Sequence, residues 1–154
     1  MAVYFFDTSA LAKRYLPEAG SAWVRQLLSP ASGHAATLSR ITHVELTSAV
    51  IRRTKSGSLT HDDAEAILHQ FKEEAVNEFV IIDLTPSVLE DAVALVVKHG
   101  LRAYDSVQLA TACELKRRQA GLELPGLRFV SADSELNSAA TAEGLLVESP
   151  LDHQ

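Results

Sequence analysis

The chain has 154 residues, 47% of them hydrophobic, a formal net charge of −6 and one cysteine, Cys113. That length suits a single domain with a sizeable core, and one cysteine excludes an intrachain disulfide or a cysteine-rich zinc site. The negative balance argues against a surface that coats nucleic acid by charge alone. With no apolar run of membrane-spanning length and no signal-like N-terminus, a soluble cytoplasmic protein is expected.

Val3-Tyr4-Phe5-Phe6 is rich in β-branched and aromatic residues and predicts a short buried strand that stops at Asp7. Ser9 to Leu16 then continues as a short helix. Pro17 to Ser21 is a turn, and Ser21 is expected to cap a helix carrying Trp23, Val24, Leu27 and Leu28. Ala35 to Ser39 is a second strand. Thr42 opens a long helix that ends near Gly57, and Thr60 opens another carrying Ala64, Ile67, Leu68 and Phe71 on one face. Phe79 to Leu84 is the clearest strand. Thr85-Pro86 is a strong helix start, and Gly100 fits that helix's stop. A further helix begins near Arg102-Ala103-Tyr104-Asp105. Leu127 to Ser131 is the fourth strand, Asp133 to Thr141 a last short helix, and Leu145 to Glu148 an edge strand, with 151–154 expected to fray.

Strands that alternate with helices predict a parallel sheet covered on both faces. The expected fold is α/β, a three-layer α/β/α sandwich with a mainly parallel four- to five-stranded sheet, over residues 1–148 with a short tail at 149–154. The helical hairpin from Thr42 to Val76 interrupts the alternation. It is expected to project beyond the sheet and to be a candidate for self-association.

Four acidic residues stand at helix starts or strand ends: Asp7, Glu45, Asp105 and Asp133. Each alone has a plain structural reading. Asp7 and Asp133 can be N-caps, Thr42-His43-Val44-Glu45 matches a capping box, and Asp105 suits the positive end of its helix. Together they point elsewhere. Parallel strands end on one edge of the sheet, where α/β folds bind their ligands. Carboxylates gathered there repel one another unless a cation neutralises them. Hard oxygen donors without histidine or thiolate suit Mg²⁺ or Mn²⁺, ions that serve phosphoryl chemistry. Thr8, Ser9 and Ser131 stand beside these acids as auxiliary hydroxyls, and Arg40 and Arg102 are the expected phosphate contacts.

Asp7-Thr8-Ser9-Ala10-Leu11, Glu45-Leu46, the run Arg102-Ala103-Tyr104-Asp105-Ser106-Val107-Gln108-Leu109-Ala110, and Ser131-Ala132-Asp133-Ser134-Glu135-Leu136 resemble the PIN-domain ribonucleases. More closely they resemble VapC-type toxins of toxin–antitoxin pairs. The Arg102 to Ala110 run is the most specific element. The resemblance implies that Asp7, Glu45, Asp105 and Asp133 are the metal-site acids, with Glu135 near enough to replace or assist Asp133. It also implies Mg²⁺- or Mn²⁺-dependent cleavage of RNA, inhibition by a cognate antitoxin protein, and frequent homodimerisation.

Two rival readings stay open from the residues: a phosphotransfer or phosphatase domain with Asp7 as nucleophile, and a non-catalytic module that works through protein contacts. The six histidines show no metal-ligand spacing for one ion, and His43 and His99 read as solvent-exposed residues or as flanks of the site. Cys113 reads as core and Trp23 as packing or a partner contact. The basic clusters Lys13-Arg14, Arg52-Arg53 with Lys55, and Lys116-Arg117-Arg118 read as solvated helix ends or phosphate contacts. No glycine-rich phosphate loop is present.

Overall fold

The computed structural model describes residues 1–153. Five strands, β1 (Val3–Phe6), β2 (Ala35–Ser39), β3 (Phe79–Ile82), β4 (Leu127–Val130) and β5 (Leu146–Glu148), form one sheet in the order β3-β2-β1-β4-β5. Every pairing is parallel. β1 lies at the centre, which explains its unbroken apolar sequence: a middle strand of a parallel sheet is covered on both faces. Val3 sits in register with Ala35 on one side and with Leu127 on the other.

The two faces carry separate cores, because successive side chains of a strand point to opposite sides. Tyr4 and Phe6 pack with Leu11, Leu46, Val50 and Phe71, under α1 (Thr8–Tyr15), α2 (Ser21–Leu27), α3 (Thr42–Lys55) and α4 (His61–Asn77). Val3 and Phe5 pack with Val88, Leu109, Phe129 and Leu136, under α5 (Pro86–His99), α6 (Ala103–Gln119) and α7 (Ser134–Ala142). Phe5 and Phe129, register partners on neighbouring strands, stack with ring centroids 5.8 Å apart. This is the expected three-layer sandwich.

The local signals mostly hold. Thr60 and Thr85 accept hydrogen bonds from the backbone of Asp63 and Val88, so both cap their helices as predicted. Gly100 ends α5 in the left-handed conformation that its φ of 67° requires. Two expectations fail at α2 and at the tail. The residue before α2 is Gly20, with φ 84°, and Ser21 provides no cap. Its hydroxyl instead accepts from the Glu18 N–H at 2.9 Å and donates to the Leu16 carbonyl at 3.3 Å, closing the preceding turn. The tail does not fray over 151–153. Pro150–Asp152 forms a 3-10 turn capped by Ser149, and the His153 ring stacks on Trp23 at 4.2 Å; Gln154 lies outside the described residues. The α3–α4 hairpin does not stand clear of the sheet either, since Ala64 and Phe71 of α4 are buried in the same core as Leu46 and Val50 of α3. Among the described residues no helix is long and apolar enough to cross a membrane.

Candidate active site

All strands run the same way, so the segments after β1 and β4 emerge side by side. The Asp7 N–H donates to the Val130 carbonyl at 2.9 Å, which extends the ladder by one residue and ties Asp7 to the end of β4. Asp7 then caps α1, which begins at Thr8 rather than Ser9. Its Oδ2 accepts from the Ser9 N–H at 3.2 Å, the Ser9 hydroxyl at 2.5 Å and the Ser131 hydroxyl at 3.1 Å. Three donors on one oxygen hold the carboxylate still, and among the described residues Oδ1 has no hydrogen bond.

Ser9 and Ser131 also hold the loop that carries the next acid. The Ala132 N–H donates to the Ser9 hydroxyl at 3.0 Å, and the Asp133 N–H donates to the Ser131 hydroxyl at 3.1 Å. Asp133 caps α7 as predicted, accepting from the Leu136 N–H at 2.9 Å on Oδ1. Its Oδ2 faces the Arg102 guanidinium at 3.3 Å, and Arg102 Nε reaches Asp105 Oδ2 at 3.2 Å. Arg102 is the residue that opens α6 and stays largely exposed.

Glu45 corrects the capping-box reading. Helix α3 is preceded by Ile41 in a helical conformation, and no side chain caps it. Thr42 is fully buried and its hydroxyl turns inward to accept from Gln108. Glu45 therefore does not reach back to Thr42. Its Oε1 accepts from the Thr8 hydroxyl at 3.1 Å and from Gln108 Nε2 at 2.7 Å.

Asp7, Glu45, Asp105 and Asp133 line one cleft of about 480 Å³ together with Thr8, Ser9, Arg52 and Arg102. Asp7 is 3% exposed, and burial pushes its carboxyl up to about 6, with the Glu45 charge adding to the rise and the Ser9 and Ser131 hydrogen bonds opposing it. Burial also raises Glu45 and Asp105. Gln108 and Thr8 restrain the first, and the Arg102 charge restrains the second. Burial, more than like charge, thus raises all three of these carboxyls.

Arg40 belongs elsewhere. It pairs with Asp83 at 2.6 Å on the open surface beyond β2 and β3, outside the cleft. Glu135 is exposed and does not line the cleft, although its charge is felt at Asp105 and Arg102. His43 packs edge-on to Phe71, and His99 bonds Glu143 at 2.7 Å; neither borders the cleft. Cys113 is half-buried against the second core, which raises its thiol to about 11. In the basic clusters, Lys13 and Arg53 pair with Glu18, Arg14 with Glu74 and Glu78, and Arg117 with Asp91 and Glu114. Arg52 lines the cleft and has no ion pair among the described residues.

Gln108 joins the site without being one of its acids or auxiliary hydroxyls. Its signal was a polar residue inside the apolar run Val107-Leu109-Ala110, one turn after Asp105. A fully buried amide needs partners, and here the partners are site residues.

Among the described residues, no three His, Cys, Asp or Glu side chains stand already closed into a metal cage. The donor set nevertheless fits a hard divalent cation. It consists of carboxylates with hydroxyls behind them, Asp7 and Glu45 each have one oxygen held and one unbonded among the described residues, and a guanidinium already bridges Asp105 and Asp133 where positive charge is wanted.

Sheet order and cleft together define an α/β fold with an acidic centre at the carboxyl edge of its sheet. The model of the PIN domain matches residues 4–141, and the chain belongs to the PIN-domain family. It is 31% identical to Ribonuclease VapC3 of Pyrobaculum aerophilum over 111 residues, 69% of this chain and 78% of that protein. Its fold is similar to a toxin–antitoxin complex from Klebsiella pneumoniae, with TM-score 0.60 and 21% identity over 97% of this chain and 98% of that one. It is also similar to VapBC2 from Rickettsia felis bound to a promoter DNA fragment, with TM-score 0.63 and 16% identity over 96% and 98%.

Proposed function

We propose that this chain is the toxin ribonuclease of a toxin–antitoxin pair and that it hydrolyses RNA phosphodiester bonds in the cleft around Asp7 with the help of Mg²⁺ or Mn²⁺. One observation carries the reading: four carboxylates from four separate parts of the chain line one cleft, and burial raises the carboxyl of Asp7. Likeness to Ribonuclease VapC3 supports RNA as the substrate.

A bound divalent cation would supply the charge that offsets the phosphate and eases ionisation of an attacking water. Asp7, Glu45, Asp105 and Asp133 would hold it. Asp7 is the most rigid of them, since three donors fix its Oδ2. Ser9 and Ser131 orient Asp7 and brace the loop that carries Asp133. Arg102, exposed at the mouth, can leave its two carboxylates to meet a phosphate oxygen, and Arg52 provides a second positive charge along the same cleft.

The partner is a cognate antitoxin, as the toxin–antitoxin assemblies of similar fold suggest, and the working place is the cytoplasm, where such an RNA target resides. Homodimerisation has a surface available to it. Leu89, Val93, Val96 and Val97 stand exposed at helical spacing along α5.

The test is cleavage of a mixed cellular RNA pool by partner-free protein in Mg²⁺, Mn²⁺ and EDTA, with Asp7→Asn beside the wild type. Cleavage by wild type only, and only with metal, is the expected result. Equal cleavage in EDTA, or by Asp7→Asn, would overturn the proposal.

A further inference from the structure

Gln108 is fully buried on α6, between Val107 and Leu109. Its Nε2 reaches acceptors on two other helices: Glu45 Oε1 at 2.7 Å, Thr8 Oγ1 at 3.0 Å and Thr42 Oγ1 at 3.1 Å. The amide has two N–H groups. The shortest contact goes to Glu45, and the second hydrogen is shared between the hydroxyls. Thr8 completes the arrangement by donating its own hydrogen to Glu45 Oε1 at 3.1 Å.

The other end of the amide is buried, and among the described residues Gln108 Oε1 accepts no hydrogen bond. Turning the amide over would set its oxygen between two hydroxyls able to donate, and so would satisfy it. The same turn would press that oxygen against the Glu45 carboxylate at the position Nε2 now holds, leaving two acceptors face to face. The orientation therefore serves Glu45 at the expense of the amide's own carbonyl. A buried polar group left half-satisfied weakens a core, so stability is not what this residue supplies.

Glu45 needs such a partner. It has one more rotatable bond than an aspartate, it projects from a helix turn, and its neighbours in the cleft carry like charge. Asp7 has Ser9 and Ser131 to hold one oxygen. Glu45 has Thr8 and Gln108. We infer that Gln108 is a positioning residue for the proposed reaction: with Thr8 it clamps Glu45 Oε1, which leaves Oε2 as the oxygen presented to the cation. The inference rests on the metal-dependent reading given above.

The experiment is a calorimetric titration of partner-free full-length protein with Mn²⁺ alone, on wild type, Gln108→Met and Gln108→Asn, with melting curves in EDTA. Methionine keeps the volume and removes both the donor and the unpaired carbonyl, while asparagine withdraws the amide by one methylene. The expected result is an affinity for Mn²⁺ lowered about 10- to 100-fold in both variants, as loss of an outer partner of a metal ligand does elsewhere, with Gln108→Met melting at or above the wild-type temperature. Wild-type affinity within twofold in both variants would overturn the inference and leave the cleavage reading standing. So would failure of both variants to fold, or a melting point several degrees lower with affinity retained, since either marks a merely structural role. A wild type that binds no Mn²⁺ would overturn the cleavage reading and this inference with it.

Discussion

The Ser131 hydroxyl donates to Asp7 Oδ2 at 3.1 Å across 124 positions of sequence. The contact exists because β1 and β4 are parallel neighbours whose last residues, Phe6 and Val130, are in register. Whatever follows one strand stands beside whatever follows the other. Sheet order thus becomes site geometry, and the carboxylate is held at the cost of removing it from water. Asp7 is left buried, near other acids, with its carboxyl raised to about 6.

That rise has a sign in stability. The folded chain keeps the Asp7 proton up to about pH 6, while the unfolded chain loses it near its ordinary value of 3.8. Between those values the native state binds more protons, so its stability falls as pH rises and levels off above the folded value. The shift amounts to about 3 kcal/mol at neutral pH, as an order of magnitude. Asp7→Asn keeps an oxygen for Ser9 and Ser131 and removes the charge. In EDTA it should melt close to wild type at pH 4 and several degrees higher at pH 7.5, and a gap that does not widen with pH would refute the account.

Much of this centre was legible before the structure. Asp7 and Asp133 stand directly after strongly apolar strands, and strand–helix alternation alone puts such residues on one edge. Glu45 was legible as an acid but its local role was misread. Thr-x-x-Glu is a good capping pattern, yet a tertiary donor, Gln108, took both the Thr42 and the Glu45 side chains. Sequence spacing describes contacts within one helix and is silent on contacts between helices. Arg40 was misplaced for a similar reason: it follows β2 as Asp7 follows β1, but Asp83, after the outer strand β3, captures it. Trp23 packs against the first core, while its stacking partner His153 lies in a tail with no periodicity to show it.

Cation binding should stabilise the fold through the same residues. At a concentration 100 times its dissociation constant a ligand adds about 2.7 kcal/mol, which is roughly 5–10 °C for a chain of this size. Mn²⁺ should raise the wild-type melting temperature by that much, and EDTA should reverse it. Asp105→Asn should lose most of the Mn²⁺ shift and all measurable cleavage while keeping the wild-type far-UV circular dichroism. Retention of the full shift would remove Asp105 from the cation's ligands.

The arginines separate by place. Arg52 and Arg102 border the cleft, and Arg40 is paired with Asp83 outside it. A charge-assisted contact to phosphate is worth about 1.5–3 kcal/mol, and 1.4 kcal/mol is tenfold in affinity. Arg52→Ala and Arg102→Ala should each raise KM for RNA about tenfold, and the effect should shrink as salt is added. Arg40→Ala should leave KM unchanged. A KM effect at Arg40 equal to that at Arg102 would move the RNA path off the acidic cleft.

Gly20 is a site where backbone conformation decides the outcome. Its φ of 84° is strained for any side chain, and a Cβ there would lie 2.4 Å from the Pro150 carbonyl oxygen. Both α2 and the C-terminal turn depend on that close approach, because Trp23 of α2 stacks on His153 just beyond Pro150. Gly20→Ala must either push the turn away or shift the start of the helix. The left-handed conformation alone costs a residue with a side chain about 1–2 kcal/mol, and the contact adds to it. The expected result is a melting temperature lowered by roughly 5 °C. Emission from Trp23, the one tryptophan of the chain, should change as the His153 ring leaves its face. Neither α2 nor the tail borders the cleft, so kcat per folded molecule should stay at the wild-type value. A variant with unaltered melting and unaltered tryptophan emission would show that the tail does not hold α2 in solution.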